Sequence, residues 1–407
     1  MKKPIGELSM AESVQACCQK GRDSAERDWL VYRCKLVTPM YGGGVKPGEV
    51  DKGMPIRATA IRGQLRFWWR LIHRTDSRFY VDGKTDYRKL FQAEREIWGG
   101  LGDVEHLCAS KVTVRTDTSI SKVSFQKKEG SPTYASFSID KECNLLKVGF
   151  EWEMRVDFGS LSAEERKQVE NAIRCWGSFG GVGARTRRGF GAVEVEKVNQ
   201  DGSKNRLYVD QSDANGFKFT MAKNKKVHDE PKAAWNFAIK KLANYRQGAE
   251  FGRSSEKGPS QWPEAKNIRA LANDTQADGR WFPRAAYGLP IVFKNVLQKN
   301  VTLVPVFNDK EMHRMASPLL LRPYKDEHGK WCSVMVLLPV TDVLQRLFLK
   351  LKYGNKEVNV MWWPKNPEER QKATSDVIPL RKAFPNGYSK SRQPLLAFKC
   401  HFQEEIK

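Results

Sequence analysis

Between Gly177 and Gly191 the run GSFGGVGARTRRGFG places six glycines and three arginines in fifteen residues. Glycine lets backbone amides approach a ligand closely, and the guanidinium fork matches phosphate geometry. The segment therefore reads as an anion site in which Gly181 and Gly183 admit the backbone and Arg185, Arg187 and Arg188 carry the charge. It is not a nucleotide-cofactor fingerprint. Thr186 stands where the third glycine of a G-x-G-x-x-G pattern belongs, and no Gly-Lys-Ser/Thr follows, so no cofactor is expected. A loop that follows a helix also lacks the positive end of the helix dipole, which leaves the arginines to supply any anion affinity.

Arg188-Gly189-Phe190-Gly191 reproduces the opening of the RNA-recognition signature, although Ala192 replaces its second aromatic. If Val193 and Val195 face a core, parity puts Phe190 on the opposite, open face, where a ring beside arginines suits base stacking. The competing reading is a flexible hairpin with a loop-packed phenylalanine. A second basic group is Arg57, Arg62, Arg66, Arg70 and Arg74, the last four at successive i+4 positions beside Trp68 and Trp69. That stripe is either a solvated face with one tryptophan in the core or a direct RNA contact.

Catalytic signals are poor. His73, His106, His228, His313, His328 and His401 show no HxxxH or HExxH spacing, and the eight cysteines form no CxxC. Asp51 and Glu49 are the acids worth watching, yet Lys46, Lys52 and Arg57 favour an ordinary solvated loop over a metal site. Cys400 and His401 have no second pair nearby. No catalytic residue and no metal are assigned.

These groups need elements to hold them. Leu30, Tyr32, Cys34 and Leu36 alternate with Arg33 and Lys35, the mark of a half-buried strand between Trp29 and Thr38. Ile61, Leu65, Trp68 and Ile72 recur at helical spacing over Ala60 to Arg74, with Thr59 available as N-cap. Strands are expected at Lys111 to Thr116, across Val148 to Phe158 and at Gly189 to Val198. Ser162 and Glu165 form a capping box for a helix over Val169, Ile173 and Trp176 that Gly177 would end. The first half thus reads β-α-β-β-α-β, the split arrangement of ferredoxin-like and RNA-recognition folds.

The fold class is α+β, two ferredoxin-like domains with long loop insertions. Residues 1–28 are an N-terminal extension, 29–198 the first domain, 199–230 a polar linker or loop and 231–407 the second domain. That second domain offers a helix at Lys232 to Arg246, strands near Leu289 to Val296, Val301 to Val306, Pro318 to Leu321 and Val334 to Leu338, a helix after Thr341, and a last strand near Leu395 to Phe402.

At 407 residues the chain exceeds what one core usually serves. Its 70 Lys and Arg exceed 47 Asp and Glu by 23, a surplus that predicts a polyanionic partner. No run of 18 apolar residues and no signal-type segment is present, so a cytoplasmic protein without membrane contact is expected.

The segments Thr38-Pro39-Met40-Tyr41-Gly42-Gly43-Gly44, Pro55 through Arg70 (PIRATAIRGQLRFWWR) and Gly180 through Gly191 resemble the RAMP superfamily, and within it the first subunit of the Cmr complex, a type III-B CRISPR effector. Gln261-Trp262-Pro263-Glu264, Phe282 through Ile291 and Ser317-Pro318-Leu319 agree with the same resemblance. It implies two ferredoxin-like domains and a non-catalytic, RNA-binding place at one end of an antiviral ribonucleoprotein. The partners it implies are the 3′ region of the CRISPR guide RNA, the matching 5′ part of a single-stranded target RNA, and other Cmr subunits. Arg185, Arg187, Arg188 and Phe190 would contact RNA, with Arg57, Arg62 and Arg66 reinforcing the site. The alternative is a RAMP-type endoribonuclease acting on precursor or target RNA through Asp51 with a histidine, against which stands the short loop between Asp51 and Pro55.

Overall fold

A computed structural model describes residues 29–100, 108–273, 280–384 and 393–404; the extension 1–28 lies outside the described residues. Tyr32, Cys34 and Leu36 turn inward from strand β1 (Leu30–Leu36). Helix α1 (Ala58–His73) and helix α2 (Tyr87–Trp98) follow, then strands β2 (Thr113–Asp117) and β3 (Glu151–Asp157), helix α3 (Ala163–Phe179), and strands β4 (Val193–Val198) and β5 (Lys204–Arg206). Pairing is antiparallel throughout, in the order β2-β3-β1-β4-β5. Leu30 lies opposite Val156, and Leu36 opposite Val193.

Ile61, Leu65, Trp68 and Trp69 from α1 and Val169, Ile173 and Trp176 from α3 close one face of this sheet. Both tryptophans of α1 are buried, not one. The N-cap of α1 is Arg57 rather than Thr59, because the turn begins directly after the extended backbone at Arg57. The Ser162–Glu165 capping box is present, but α3 runs two residues past Gly177, which is buried inside the helix against Val195. On the other face of the sheet charges pair across strands, Arg33 with Glu153 at 3.6 Å and Lys35 with Glu151 at 3.2 Å, and within β3 Arg155 pairs with Glu153 at 3.0 Å. An RNA-recognition fold would present aromatic rings there.

Residues 199–230, expected as a linker, carry β5, a short helix Gln211–Gly216 with its own capping box, and strand β6 (Thr220–His228). Its polarity has a structural reason. β6 is an edge strand broken by a register shift between Lys223 and Val227, and lysines on an edge block pairing with foreign strands. Helix α4 (Pro231–Gln247) opens on Pro231 at its first position, where a missing N–H costs nothing. Helix α5 (Glu264–Asn273), strand β7 (Ile291–Phe293) and strand β8 (Val301–Phe307) lead to strands β9 (Leu319–Lys325) and β10 (Trp331–Leu337).

In the sheet β6-β10-β9, strands β9 and β10 are buried on both faces. Leu320, Tyr324, Val334 and Val336 join the core of the first half, whereas Leu319, Leu321, Met335 and Leu337 join that of the second. Two-sided burial explains the apolar runs Leu319–Leu321 and Val334–Leu337 within these two strands. Strands β11 (Phe348–Tyr353) and β12 (Lys356–Val360) complete a separate sheet, β7-β8-β11-β12. The chain ends in helix α8 (Pro394–Gln403), after α6 (Pro367–Asp376) and α7 (Ile378–Ala383). A strand is expected at α8, but Leu395, Phe398 and Phe402 recur at helical spacing and bury together beside Tyr245.

Candidate nucleic-acid interface

Two glycine-rich segments distant in sequence meet after α3. Ala184 donates its N–H to Tyr41 O at 2.7 Å, and Gly191 donates to Pro39 O at 2.9 Å. Thr38 Oγ1 donates to Gly189 O at 2.6 Å and accepts from Ala192 N–H at 2.8 Å. The glycines permit this closeness. Gly183 and Gly191 hold φ of +75° and +63°, and a Cβ would stand 2.6 Å from Tyr41 O and 1.9 Å from Val182 O respectively. Gly181 accepts the Trp176 indole N–H through its carbonyl at 3.2 Å. Backbone approaches backbone here, so Gly181 and Gly183 serve packing rather than an amide cradle for a ligand.

The arginines of this loop tie it to the rest of the chain. Arg185 donates from Nη1 to Ala135 O at 2.8 Å and from Nη2 to Ser138 Oγ, with its guanidinium 5.9 Å from the Tyr41 ring. Arg187 donates to Ser317 O at 2.6 Å and lies 6.0 Å from the Phe67 ring. Arg188 donates to Leu319 O at 2.9 Å, and burial pushes its pKa down to about 10. Ser317-Pro318-Leu319, one of the motif segments, thereby joins the loop. Among the described residues none of the three guanidiniums pairs with a carboxylate. Neutral carbonyls satisfy their N–H groups without cancelling their charge. The half-exposed Arg185 and Arg187 therefore keep their attraction for an anion, while Arg188 is turned into the protein.

Phe190 does not face solvent. It is 0% exposed, packed edge-on against Trp235 with centroids 4.8 Å apart. Gly189 and Gly191 on either side both have positive φ, so the strand alternation that turns Val193 and Val195 inward starts only after them. Parity cannot be carried back across that turn, and the expected base-stacking role is withdrawn.

The basic stripe of α1 divides. Arg57 donates to Gly43 O, and Gly43 lies against Gly183, so the first arginine converges with the loop. Arg62 donates to Trp98 O. Arg66 and Arg70 both reach Oε1 of Glu94 at 2.6 Å, a carboxylate that is 0% exposed on α2. Arg74 pairs with Asp342 at 2.7 Å. Arg62 and Arg66, expected to reinforce an RNA site, thus face α2, and the stripe is a packing surface beyond its first member.

Asp51 accepts backbone N–H bonds from Gly53 at 2.9 Å and Met54 at 3.1 Å and so closes its own turn. Among the described residues no group of three His, Cys, Asp or Glu is placed to hold a metal. Sequence reasoning missed Arg322, 4% exposed, which donates to Gly180 O at 2.6 Å and Val193 O at 3.0 Å and so fixes the base of the loop. Its signal was a lone arginine directly after the apolar run Leu319-Leu320-Leu321 of β9. Burial lowers its pKa to about 9.

Residues 33–194 match the family model of the RAMP superfamily, so the resemblance read from the motifs holds over that stretch. No curated protein matches the sequence. Among solved structures, Cmr1 from Pyrococcus furiosus in its apo form is similar at 14% identity, covering 76% of this chain and 87% of that one with a TM-score of 0.45. A chain of the type III-B Cmr-beta complex bound to cognate target RNA and AMPPnP in the presence of ssDNA is similar at 12% identity, covering 81% of this chain and 96% of that one, TM-score 0.44. Among the described residues no helix is long and apolar enough to cross a membrane.

Proposed function

From the match of residues 33–194 to the RAMP superfamily, we propose that this chain is a non-catalytic RNA-binding subunit of an RNA-guided, type III-B (Cmr) antiviral effector in the cytoplasm. It binds the 3′ region of the guide RNA, the matching 5′ part of the target, or both, beside other subunits of the complex. In this reading the two halves are ferredoxin-like domains. The order β2-β3-β1-β4 around α1 and α3 is that of a β-α-β-β-α-β unit, and β6-β10-β9 with α4 and α8 repeats three strands and both helices.

The observation that carries the proposal is the loop of Arg185, Arg187 and Arg188, which lies inside the matched region and holds three positive charges with no carboxylate partner among the described residues. Guanidiniums bonded to carbonyls are preorganised, so little entropy is lost when Arg185 and Arg187 meet phosphates. Binding without cleavage is supported by Asp51, the acid of the endoribonuclease alternative, being engaged in its own turn.

Labelled single-stranded RNA mixed with the protein, with and without Mg²⁺, should be retained intact. Replacing Arg185 and Arg187 by Ala should weaken binding to every sequence and flatten the log-affinity against log-salt slope by about 0.7 per lost phosphate contact. RNA products abolished by Asp51→Ala would instead establish the nuclease. Circular dichroism of each variant separates lost contacts from a lost fold.

A further inference from the structure

A groove of about 1100 Å³ runs between residues 130–137, α4 and β7. It exceeds the roughly 300–1,000 Å³ of ordinary small-molecule pockets, and it is open, with Phe137 75% exposed on one wall. The opposite wall is one face of α4, where Asn236, Lys240, Ala243 and Gln247 follow at four- and three-residue spacing with Arg246 beside them. Lys240, Arg246 and Arg284 line the groove and no carboxylate does. Arg284 is already compensated by Glu264 at 3.0 Å; Lys240 and Arg246 form no ion pair among the described residues.

The groove adjoins the arginine loop. Arg185 donates to Ala135 O at 2.8 Å, within the wall that carries Tyr134 and Phe137. Arg188 lies behind it, its pKa lowered first by burial and next by the positive charge of Arg246. Like charges gathered around one concavity without acids between them are relieved by an anion that enters it. An exposed ring lining the same groove adds a second requirement, for a partner with flat faces. A strand of RNA meets both, since phosphates track a basic groove while bases stack on aromatic side chains; an acidic peptide meets only the first.

We propose that this groove seats a segment of single-stranded RNA, with phosphates against Lys240 and Arg246 and a base against Phe137. The assignment rests on the RNA-binding reading above and extends the interface from the first half onto the second. Its test is fluorescence anisotropy of the full chain with a labelled, mixed-sequence single-stranded RNA over a salt series. Lys240→Ala with Arg246→Ala should weaken binding at least tenfold and reduce the salt slope by about 1.4, two contacts at 0.7 each. Phe137→Ala should weaken it about tenfold with the slope unchanged, as loss of a stacked base does. Lys89→Ala with Lys167→Ala, two exposed lysines on α2 and α3, should leave both readings near the parent. If the parent binds RNA and the groove variants bind it equally well, the groove belongs to a protein partner and the assignment falls alone. If the parent binds no RNA, the assignment and the RNA-binding reading fall together.

Discussion

Phe190 precedes β4 by three residues, yet its position is set by the segment that comes before the strand. Gly189 lies so close to Trp235 that an added Cβ would stand 2.5 Å from the indole nitrogen, and that nitrogen donates to Arg188 O at 2.7 Å. The Phe190 ring is therefore pressed edge-on to the same indole, where an aromatic pair adds to the burial of its area. Phe190→Ala should cost about 3–5 kcal/mol, the usual range for removing a fully buried phenylalanine, read as a fall in melting temperature. RNA affinity of the folded fraction and its salt slope should stay as in the parent. A variant that melts normally but binds RNA weakly would show that the ring faces the ligand after all.

Among the elements, those ruled by one period were legible. β1, β3 and the apolar face of α1 follow directly from alternation or helical spacing, because each buries one side only. The misread elements each answer to a partner distant in sequence. β6 looked like linker because an edge strand carries lysines, α8 looked like a strand because six of its ten residues are buried, and the arginines of α1 looked solvated or RNA-facing because α2 was not recognised as their neighbour. Glu94 makes that last contact costly to break. Arg66 and Arg70 share one of its oxygens, so either can hold the charge alone, but removing both leaves an unpaired carboxylate in a dry site. Arg66→Ala with Arg70→Ala should destabilise by about 3–5 kcal/mol, and adding Glu94→Gln should restore part of the loss in thermal melts. An unchanged melting temperature in the double variant would mean that Glu94 is hydrated.

For the whole molecule, the sheet β6-β10-β9 decides how the halves depend on each other. A linker at 199–230 would let two domains fold and unfold separately, as loosely joined domains do. The sheet instead gives alternate side chains of β9 and β10 to two cores, and the charged parts of the contact point the same way. Arg322 reaches from β9 to Gly180 O and Val193 O, Arg206 of β5 donates to Lys325 O at 2.6 Å, and Lys325 pairs with Glu194 at 2.8 Å. Without the second half, the first would expose the apolar surface that Leu320, Tyr324, Val334 and Val336 cover and would leave the carbonyls at the base of the loop without their arginine. Calorimetry of the full chain should accordingly show one cooperative transition. A fragment of residues 29–198 should bind a hydrophobic dye and lack a sharp melt, the behaviour of a chain with secondary structure but no fixed packing. Two resolved transitions, or a fragment that melts sharply, would restore the picture of independent domains and make the arginine loop a property of the first half alone.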